Sequence, residues 1–511
     1  MKKRLFRNRR TRYAGISAVL TILVITVVIL INSVFGSLAS RYQWVTSMNA
    51  KANYDVTGVC YDLLDRELAE IDATERDANV RVIFCDTEAA WSEDETQSYL
   101  LHTAKSICDK YDRLTIEFYD TRLNPTAVRP YATNQKTGET IPVKESSVII
   151  VCGDYHRVYN LEEFFVFKDN ANTEVWAYKG ERTLATGILR ALNCDVKVAC
   201  ITSNHGEAFT DYEIAYLLDD AGYDVRSDFD LSTEEIPEKC SLILTYNPNS
   251  DLDVSVGIEE NKKLDEFLAK EGNAFLVFLS TGTPQLANLE AYLNEWGVKS
   301  GVHVDPANGK SYRYTVQDSA QSLTSDGYTI YGNLSAEATA RQMFSGNESN
   351  VVFKNATALG HASDFVANGD GTYSKGDSRK LYSIYETSEE AVLWANGVAR
   401  DGDSSMLMTL TEQKHATGRS SYVGVVASSD FASRDQLQSA VYRNSDVLYR
   451  LLSNVSGEYS IEGLKLKPFA STDISTITMA QMLRWTICLT VIPAGLVAVT
   501  GIVILIRRRR A

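Results

Sequence analysis

Apolar and polar positions follow two periodicities over the first 300 residues. Short apolar runs, such as 80–86, 114–120 and 146–154, are typical of buried strands. They alternate with segments whose apolar residues recur every three or four positions, as in amphipathic helices. This alternation predicts an α/β protein in which helices cover the faces of sheets.

The region 36–194 contains a predicted order of β-α-β followed by β-β-α, which resembles the thioredoxin fold. Its first long helix has Ser92 as the predicted N-cap and Glu95 three residues later, the pattern of a capping box. A helix near 181–192 closes the unit. Because no Cys-x-x-Cys sequence occurs, the resemblance does not imply thiol chemistry.

A second unit is predicted over 195–456. Apolar runs alternate there with helical segments of about 12 residues, which predicts a parallel sheet covered on both faces. Residues 301–405 change in character: they are rich in Gly, Ser, Asn and Asp and hold only short strand-like runs. We interpret them as a loop-rich insertion without a core of its own.

Two uncharged apolar segments of 22 residues, 14–35 and 485–506, lie near the ends of the chain. As helices each spans about 33 Å, enough to cross a bilayer. Seven Lys or Arg residues precede the first segment and four arginines follow the second. The positive-inside rule therefore predicts cytoplasmic termini and an extracytoplasmic body. The alternative for the first segment is a signal peptide cleaved near "SLAS" at 37–40.

The predicted cytoplasmic tails and the predicted extracytoplasmic body differ in charge. The two tails hold 11 basic residues and no acidic ones, so the rest of the chain carries 40 basic against 66 acidic residues, a net charge of −26. Such an acidic body argues against nucleic acid as a partner. Cysteine usage is less decisive: four of the eight cysteines sit in or beside apolar runs, which favours buried free thiols over a disulfide framework.

The stretch "SNHGE" follows the apolar run at the start of the second unit, where parallel sheets often bind ligands. His205 and Glu207 have the chemistry of an acid–base pair. Asp430 follows a later strand and is a candidate third member. Three roles remain open for these residues: structural hydrogen bonding, a binding pocket, or catalysis. We favour the structural role and assign no catalytic residue.

Motifs for other chemistry are missing. The sequence has no phosphate-binding loop, no dinucleotide-binding glycine pattern and no zinc spacing, so we predict neither a cofactor nor a metal site. Ser280 and Thr281 follow a strand, but the flanking glycines of a nucleophile elbow are absent.

Several segments together resemble the GldG family, the gliding-motility-type auxiliary subunits of ABC transporters. They are "RYQWVTSMNAKANYDVT" (41–57), "IEFYDTRLNP" (116–125), "ITSNHGEAF" (201–209), "VASSDFAS" (426–433), "NSDVLYRLLSNVSG" (444–457) and "ISTITMAQMLRW" (474–485). The chain departs from the family pattern where "TSNHGE" replaces "TGHGE" and where Gln43, Trp44 and Val45 replace Asp-Leu-Thr.

The resemblance implies that the second unit is an inactive relative of the class I amidotransferase fold. It implies a non-catalytic auxiliary subunit, acting in assembly or substrate handling beside an ABC permease and a separate ATPase subunit in the lipid bilayer. A membrane-tethered ligand sensor or solute-binding module is the first alternative, and a membrane-tethered hydrolase the second. The predicted organisation is a basic cytoplasmic tail (1–13), a membrane span (14–35), a thioredoxin-like domain (36–194), an amidotransferase-like domain (195–456) with its insertion (301–405), a juxtamembrane segment (457–484), a second span (485–506) and an Arg-rich cytoplasmic tail (507–511).

Overall fold

A computed structural model describes residues 55–73, 78–133, 140–167, 174–193, 196–207, 213–376, 378–401, 404–439, 441–456, 461–469 and 501. They belong to one compact unit that begins at Tyr54. Among these residues, no helix has the length and apolar character needed to cross a membrane. Both predicted spans lie outside the described ranges, apart from Gly501.

The first part of the described chain is a four-stranded sheet with helices packed on it. Its elements are α1 (Gly58–Ala73), β1 (Val80–Phe84), α2 (Glu88–Glu93), α3 (Glu95–Cys108), β2 (Leu114–Phe118), β3 (Val148–Cys152), β4 (Tyr155–Tyr159), β5 (Phe165–Phe167), β6 (Val175–Tyr178) and α4 (Gly180–Leu192). The strand order is β2-β1-β3-β4. Strand β1 runs parallel to β2 and antiparallel to β3, and β3 and β4 form a hairpin.

The predicted N-cap of the long helix is wrong. The Asp94 side chain accepts a hydrogen bond from the Gln97 backbone N–H at 2.8 Å and caps α3, while Thr87 caps the preceding α2. Ser92 lies inside α2, where its hydroxyl donates to the Glu88 carbonyl oxygen. Ser92 and Glu95 therefore belong to two consecutive helices, a short one and a long one, each with its own cap.

The second part begins the main sheet. Its elements are β7 (Val198–Thr202), α5 (Glu213–Asp220), β8 (Asp224–Phe229), β9 (Cys240–Tyr246), α6 (Glu260–Leu268), β10 (Ala274–Phe278) and α7 (Ala287–Glu295). Strands β7, β8, β9 and β10 are parallel to their neighbours in the order β10-β9-β7-β8. All of β10 and six of the seven residues of β9 are buried, as expected for central strands covered on both faces.

The predicted insertion consists of short strands and one helix. They are β11 (Val298–Ser300), β12 (Val302–Val304), β13 (Ser311–Arg313), β14 (Thr315–Gln317), β15 (Thr329–Tyr331), β16 (Asn333–Leu334), α8 (Ala338–Met343), β17 (Val352–Lys354), β18 (Leu359–His361), β19 (Val366–Ala367), β20 (Thr372–Lys375), β21 (Arg379–Glu386), β22 (Val392–Ala395) and β23 (Val398–Asp401). Its buried residues, among them Val316, Phe344 and Phe353, belong to the same hydrophobic cluster as the main sheet. These residues of the region therefore pack into the core of the main sheet, and its bounds as an insertion stay a prediction.

The last part completes the main sheet with β24 (Met406–Lys414) and β25 (Ser420–Val426), followed by α9 (Arg434–Leu437), α10 (Asn444–Ser456) and β26 (Lys467–Pro468). Strand β25 is parallel to β10, but β24, β21 and β20 are antiparallel to their neighbours. The sheet is therefore mixed, and the prediction of a parallel sheet holds for one half. A tight turn ending at Arg419, with Gly418 at φ +92°, joins β24 to β25 without a crossover helix.

The stretches that begin at Asp55 and end at Phe469 meet on helix α4. Glu181, 2% exposed, accepts a hydrogen bond from the Thr57 backbone N–H at 2.8 Å and pairs with the Lys467 ammonium at 2.5 Å. The same ammonium donates to the Asp55 carbonyl oxygen at 2.6 Å. Strand β26 also pairs with β6. We call this contact of Asp55, Thr57, Glu181 and Lys467 the terminal joint.

Helix α4 lies close to the first sheet because of Gly187. A Cβ atom at this position would lie 2.5 Å from Ile150 Cδ1 and 2.9 Å from the Tyr159 hydroxyl oxygen. We expect Gly187→Ala to lower the free energy of unfolding by about 1–3 kcal/mol, because the added methyl group overpacks a buried helix–sheet contact. Urea denaturation measures this loss.

Gly58→Ala is the matched control, since Gly58 is also helical and a Cβ atom there would meet nothing within 4 Å. That change should leave stability equal or slightly higher. Equal stability of the two variants would contradict the close packing of α4.

Candidate functional site

His205 lies in the turn after β7, between two carboxylates. Its Nδ1 is 3.2 Å from Glu207 Oε1, and its Nε2 is 2.9 Å from Glu260 Oε2. The His205 residue is 2% exposed and Glu260 is fully buried. Since ionised carboxylates only accept hydrogen bonds, both ring nitrogens must carry protons, and the imidazole is a cation. We call His205, Glu207 and Glu260 the histidine cluster.

The pKa values in the histidine cluster agree with this charge state. Burial alone would lower the pKa of His205, but the hydrogen bonds and charges of Glu207 and Glu260 outweigh it and raise that pKa from 6.5 to about 9. Burial would raise the pKa of each glutamate, yet the contact with His205 keeps the pKa of both below the ordinary value. The cluster therefore holds one positive and two negative charges at neutral pH.

Both glutamates accept further hydrogen bonds, which compensates for their burial. Glu207 accepts from the His205 backbone N–H at 2.8 Å and from the Thr202 hydroxyl at 2.5 Å. Glu260 accepts from the Asn204 amide at 2.7 Å and from the Asp253 backbone N–H at 2.6 Å. Each carboxylate is thus used by the protein itself.

The cluster connects three loops at the carboxyl edge of the main sheet. The carbonyl oxygen of His205 accepts the backbone N–H groups of Asn249 and Ser250 after β9, each at 2.8 Å. Asn204 accepts the Leu231 backbone N–H after β8 at 3.2 Å. Gly206 has φ +67°, a conformation that glycine adopts without strain. The turn is therefore a cross-link between loops.

Glu260 comes from the first turn of α6, where a negative charge is favoured by the helix dipole. The preceding residue, Glu259, has φ +45° and offers no side-chain cap. The unusual backbone at Glu259 and the bond between Glu260 and Asp253 fix where the helix begins. Sequence reasoning missed Glu260, although an acidic residue opening the helix after the neighbouring strand was a usable signal.

Asp430 is not part of this cluster. It follows β25, which is three strands away from β7 in the sheet order, a separation of about 14 Å. Its carboxylate accepts a hydrogen bond from the Asn355 amide at 3.3 Å. The structure brings His205 and Glu207 together and leaves Asp430 at a separate place on the same edge.

The arrangement is suited to structural cross-linking. The imidazolium already donates both of its N–H groups, and His205 is too deeply buried for a ligand to contact its ring. Ser280, after β10, is also engaged: its hydroxyl donates to Asn247 Oδ1 at 2.8 Å. Within the described ranges, no group of three or more His, Cys, Asp or Glu side chains is placed to hold a metal ion.

The described cysteines confirm the interpretation as buried thiols. Six are buried and form no disulfide: Cys60, Cys85, Cys108, Cys152, Cys200 and Cys240. Burial raises the pKa of the Cys85 thiol to about 12, which makes it a poor nucleophile. Cys194 and Cys488 lie outside the described residues.

A cleft of about 550 Å³ opens elsewhere, between the first sheet and the edge of the main sheet. Its walls come from β4, β5, α4, α5, β8 and α9 and carry both acidic and basic side chains. Asp219 on α5 binds two arginines there: Arg157 of β4, at 2.8 and 2.6 Å, and Arg190 of α4, at 2.6 Å. Burial alone would raise the pKa of Asp219, but the two arginines outweigh it and lower that pKa to about 2. Sequence reasoning missed this group, because its members are separated by up to 62 residues.

Compared with known proteins, the chain matches no family model and no curated protein sequence.

The histidine cluster predicts a pH-dependent stability. Because the folded-state pKa of His205 lies above 6.5, its contribution is complete below pH 6.5 and is lost as pH rises through about 9. The two glutamates, whose folded-state pKa values are lowered, contribute above about pH 4.5 and lose that contribution as pH falls. The cluster therefore stabilises the fold most between about pH 4.5 and 6.5.

We expect His205→Gln to be less stable than the wild type by about 3 kcal/mol at pH 6, and this difference to shrink toward pH 9.5. Urea unfolding at both pH values checks it. His303→Gln is the control for loss of an imidazole: His303 is half-buried beside Tyr314, with ring centres 6.3 Å apart, and lies outside the histidine cluster. A His205→Gln difference that is the same at pH 6 and 9.5 would refute the doubly bonded imidazolium.

Proposed function

We propose that this protein is a non-catalytic, membrane-anchored auxiliary subunit of an ABC transporter complex, similar to the GldG family. Its extracytoplasmic body acts in assembly or substrate handling beside a permease and a separate ATPase subunit. The chain is α/β with sheets containing parallel strands. The finer proposal is a thioredoxin-like unit followed by an amidotransferase-like unit, between two membrane spans.

The terminal joint is the observation that carries the proposal. The segments that lead to the two predicted spans leave the body at one place, since Lys467 bonds directly to Asp55. A body of this size is about 50 Å across, and a 15-residue linker reaches about 50 Å only when fully extended. The contact of Asp55 with Lys467 therefore gives both predicted spans neighbouring points of attachment on the body.

The strand orders support the finer fold proposal. The order β2-β1-β3-β4, with one parallel pair and a terminal hairpin, is the order expected of a thioredoxin-like unit. The five parallel strands β8, β7, β9, β10 and β25 are consistent with an amidotransferase-like unit, to which the antiparallel strands are added.

The edge of the main sheet supports a non-catalytic role over the hydrolase alternative. An acid–base residue needs a proton to exchange with substrate, and a nucleophile needs a free hydroxyl. His205 and the Ser280 hydroxyl instead make hydrogen bonds inside the protein. They also follow strands β7 and β10, which are separated by β9, about 10 Å apart.

The test is a pull-down of the tagged full-length protein in mild detergent. We expect an ATPase and a multi-span permease to be recovered with it in fixed ratio. Repeated recovery of the chain alone would refute the transport role.

A variant pair links that result to the terminal joint. Lys467→Gln removes the cation shared by Glu181 and Asp55, so we expect it to recover severalfold less permease than the wild type. Lys465→Gln, two residues away at an exposed position, should recover the wild-type amount. Equal recovery with both variants would show that the joint plays no part in assembly.

A further inference from the structure

Two arginines from different elements converge on one carboxylate in the cleft beside α4. Arg157 of β4 donates two hydrogen bonds to the Asp219 carboxylate, and Arg190 of α4 donates a third at 2.6 Å. Arg190 also donates to the Tyr223 carbonyl oxygen at 2.8 Å, which fixes its guanidinium in place. Paired guanidinium groups in this geometry form a receptor for a planar anion.

The receptor is reachable from the cleft. The side chains of Arg157 and Asp219 are 26% and 31% exposed. The side chain of Arg190, which is 7% exposed, lies at the bottom of the cleft. The cleft volume of about 550 Å³ lies within the range typical of small-molecule sites. Lys179 lines the same wall, with its ammonium 5.9 Å from the centre of the Tyr216 ring.

We propose that the cleft binds a carboxylate-bearing small ligand, which takes the place of Asp219 between Arg157 and Arg190. The carboxylate of Asp219 already shows which chemical group the two arginines accept. Asp219 is then an internal occupant that an external carboxylate displaces. The site is defined by its own geometry and does not depend on the proposed transporter partners.

Displacement has a structural consequence. Asp219 bonds α5 to β4 of the first sheet, so its displacement breaks that ion pair. Arg190 lies on α4, whose first turn contains Glu181 of the terminal joint. One helix therefore contacts both the cleft and the place where the chain leads toward the predicted membrane spans.

The experiment is a calorimetric titration of the full-length protein with succinate at constant ionic strength. Succinamide is the neutral control ligand, and inorganic phosphate represents the competing class of anion. Asp219→Ala removes the carboxylate that the two arginines bind. Asp219→Asn removes its negative charge while keeping the shape of the side chain. We expect both variants to bind succinate at least about 10-fold more tightly than the wild type, because neither carries the internal carboxylate that competes with the ligand for the two arginines.

The control is Asp220→Ala, because Asp220 lines the same cleft but contacts the Tyr449 hydroxyl at 3.5 Å. It should bind succinate as the wild type does. Adding Arg157→Gln to Asp219→Asn should abolish binding. Failure of both Asp219 variants to bind succinate above the succinamide level would overturn the proposal. So would tighter binding of phosphate than succinate, or succinate binding to the variants with none to the wild type.

Discussion

Burial of helix α4 is the constraint on which the described structure depends. All 13 of its residues are buried, including Glu181, Arg182 and Arg190. A buried charge is tolerated only when it is paired and hydrogen-bonded. Glu181 is satisfied by Thr57 and Lys467, Arg182 by the Leu464 carbonyl oxygen at 2.8 Å, and Arg190 by Asp219. The helix can be buried only if Thr57, the stretch 464–467 and α5 pack against it.

The histidine cluster solves a related problem at the edge of the main sheet. Loops after β7, β8 and β9 must hold one another in place, and short polar loops have few apolar side chains with which to do so. A cation between two carboxylates, with each remaining acceptor filled, provides strong bonds in a small space. His205 and Glu207 have the residue types of an acid–base pair, and their hydrogen bonds here link these loops.

The sequence predicted the local features well and the long-range ones poorly. Apolar runs located β3, β9 and β10 because central strands must be apolar on both faces. The antiparallel half was missed, since a hairpin such as that at Gly418 carries little signal in apolar periodicity. The pairing of His205 with Glu260 and of Arg157 with Asp219 was also missed. Each joins polar residues more than 50 positions apart, and their surroundings in sequence resemble an ordinary solvated surface.

The proposed topology places the terminal joint, from which the chain continues toward both predicted membrane anchors, outside the cytoplasm. The sharpest test is a full-length variant carrying Asp55→Cys and Lys467→Cys, treated on intact cells with a short, membrane-impermeant bismaleimide. Mass spectrometry should find the peptides around 55 and 467 linked within one chain. A control pair that keeps Asp55→Cys but places the second cysteine at exposed Asp364 should give no link. No link at 55 and 467, or a link only after the cells are lysed, would contradict a shared extracytoplasmic exit.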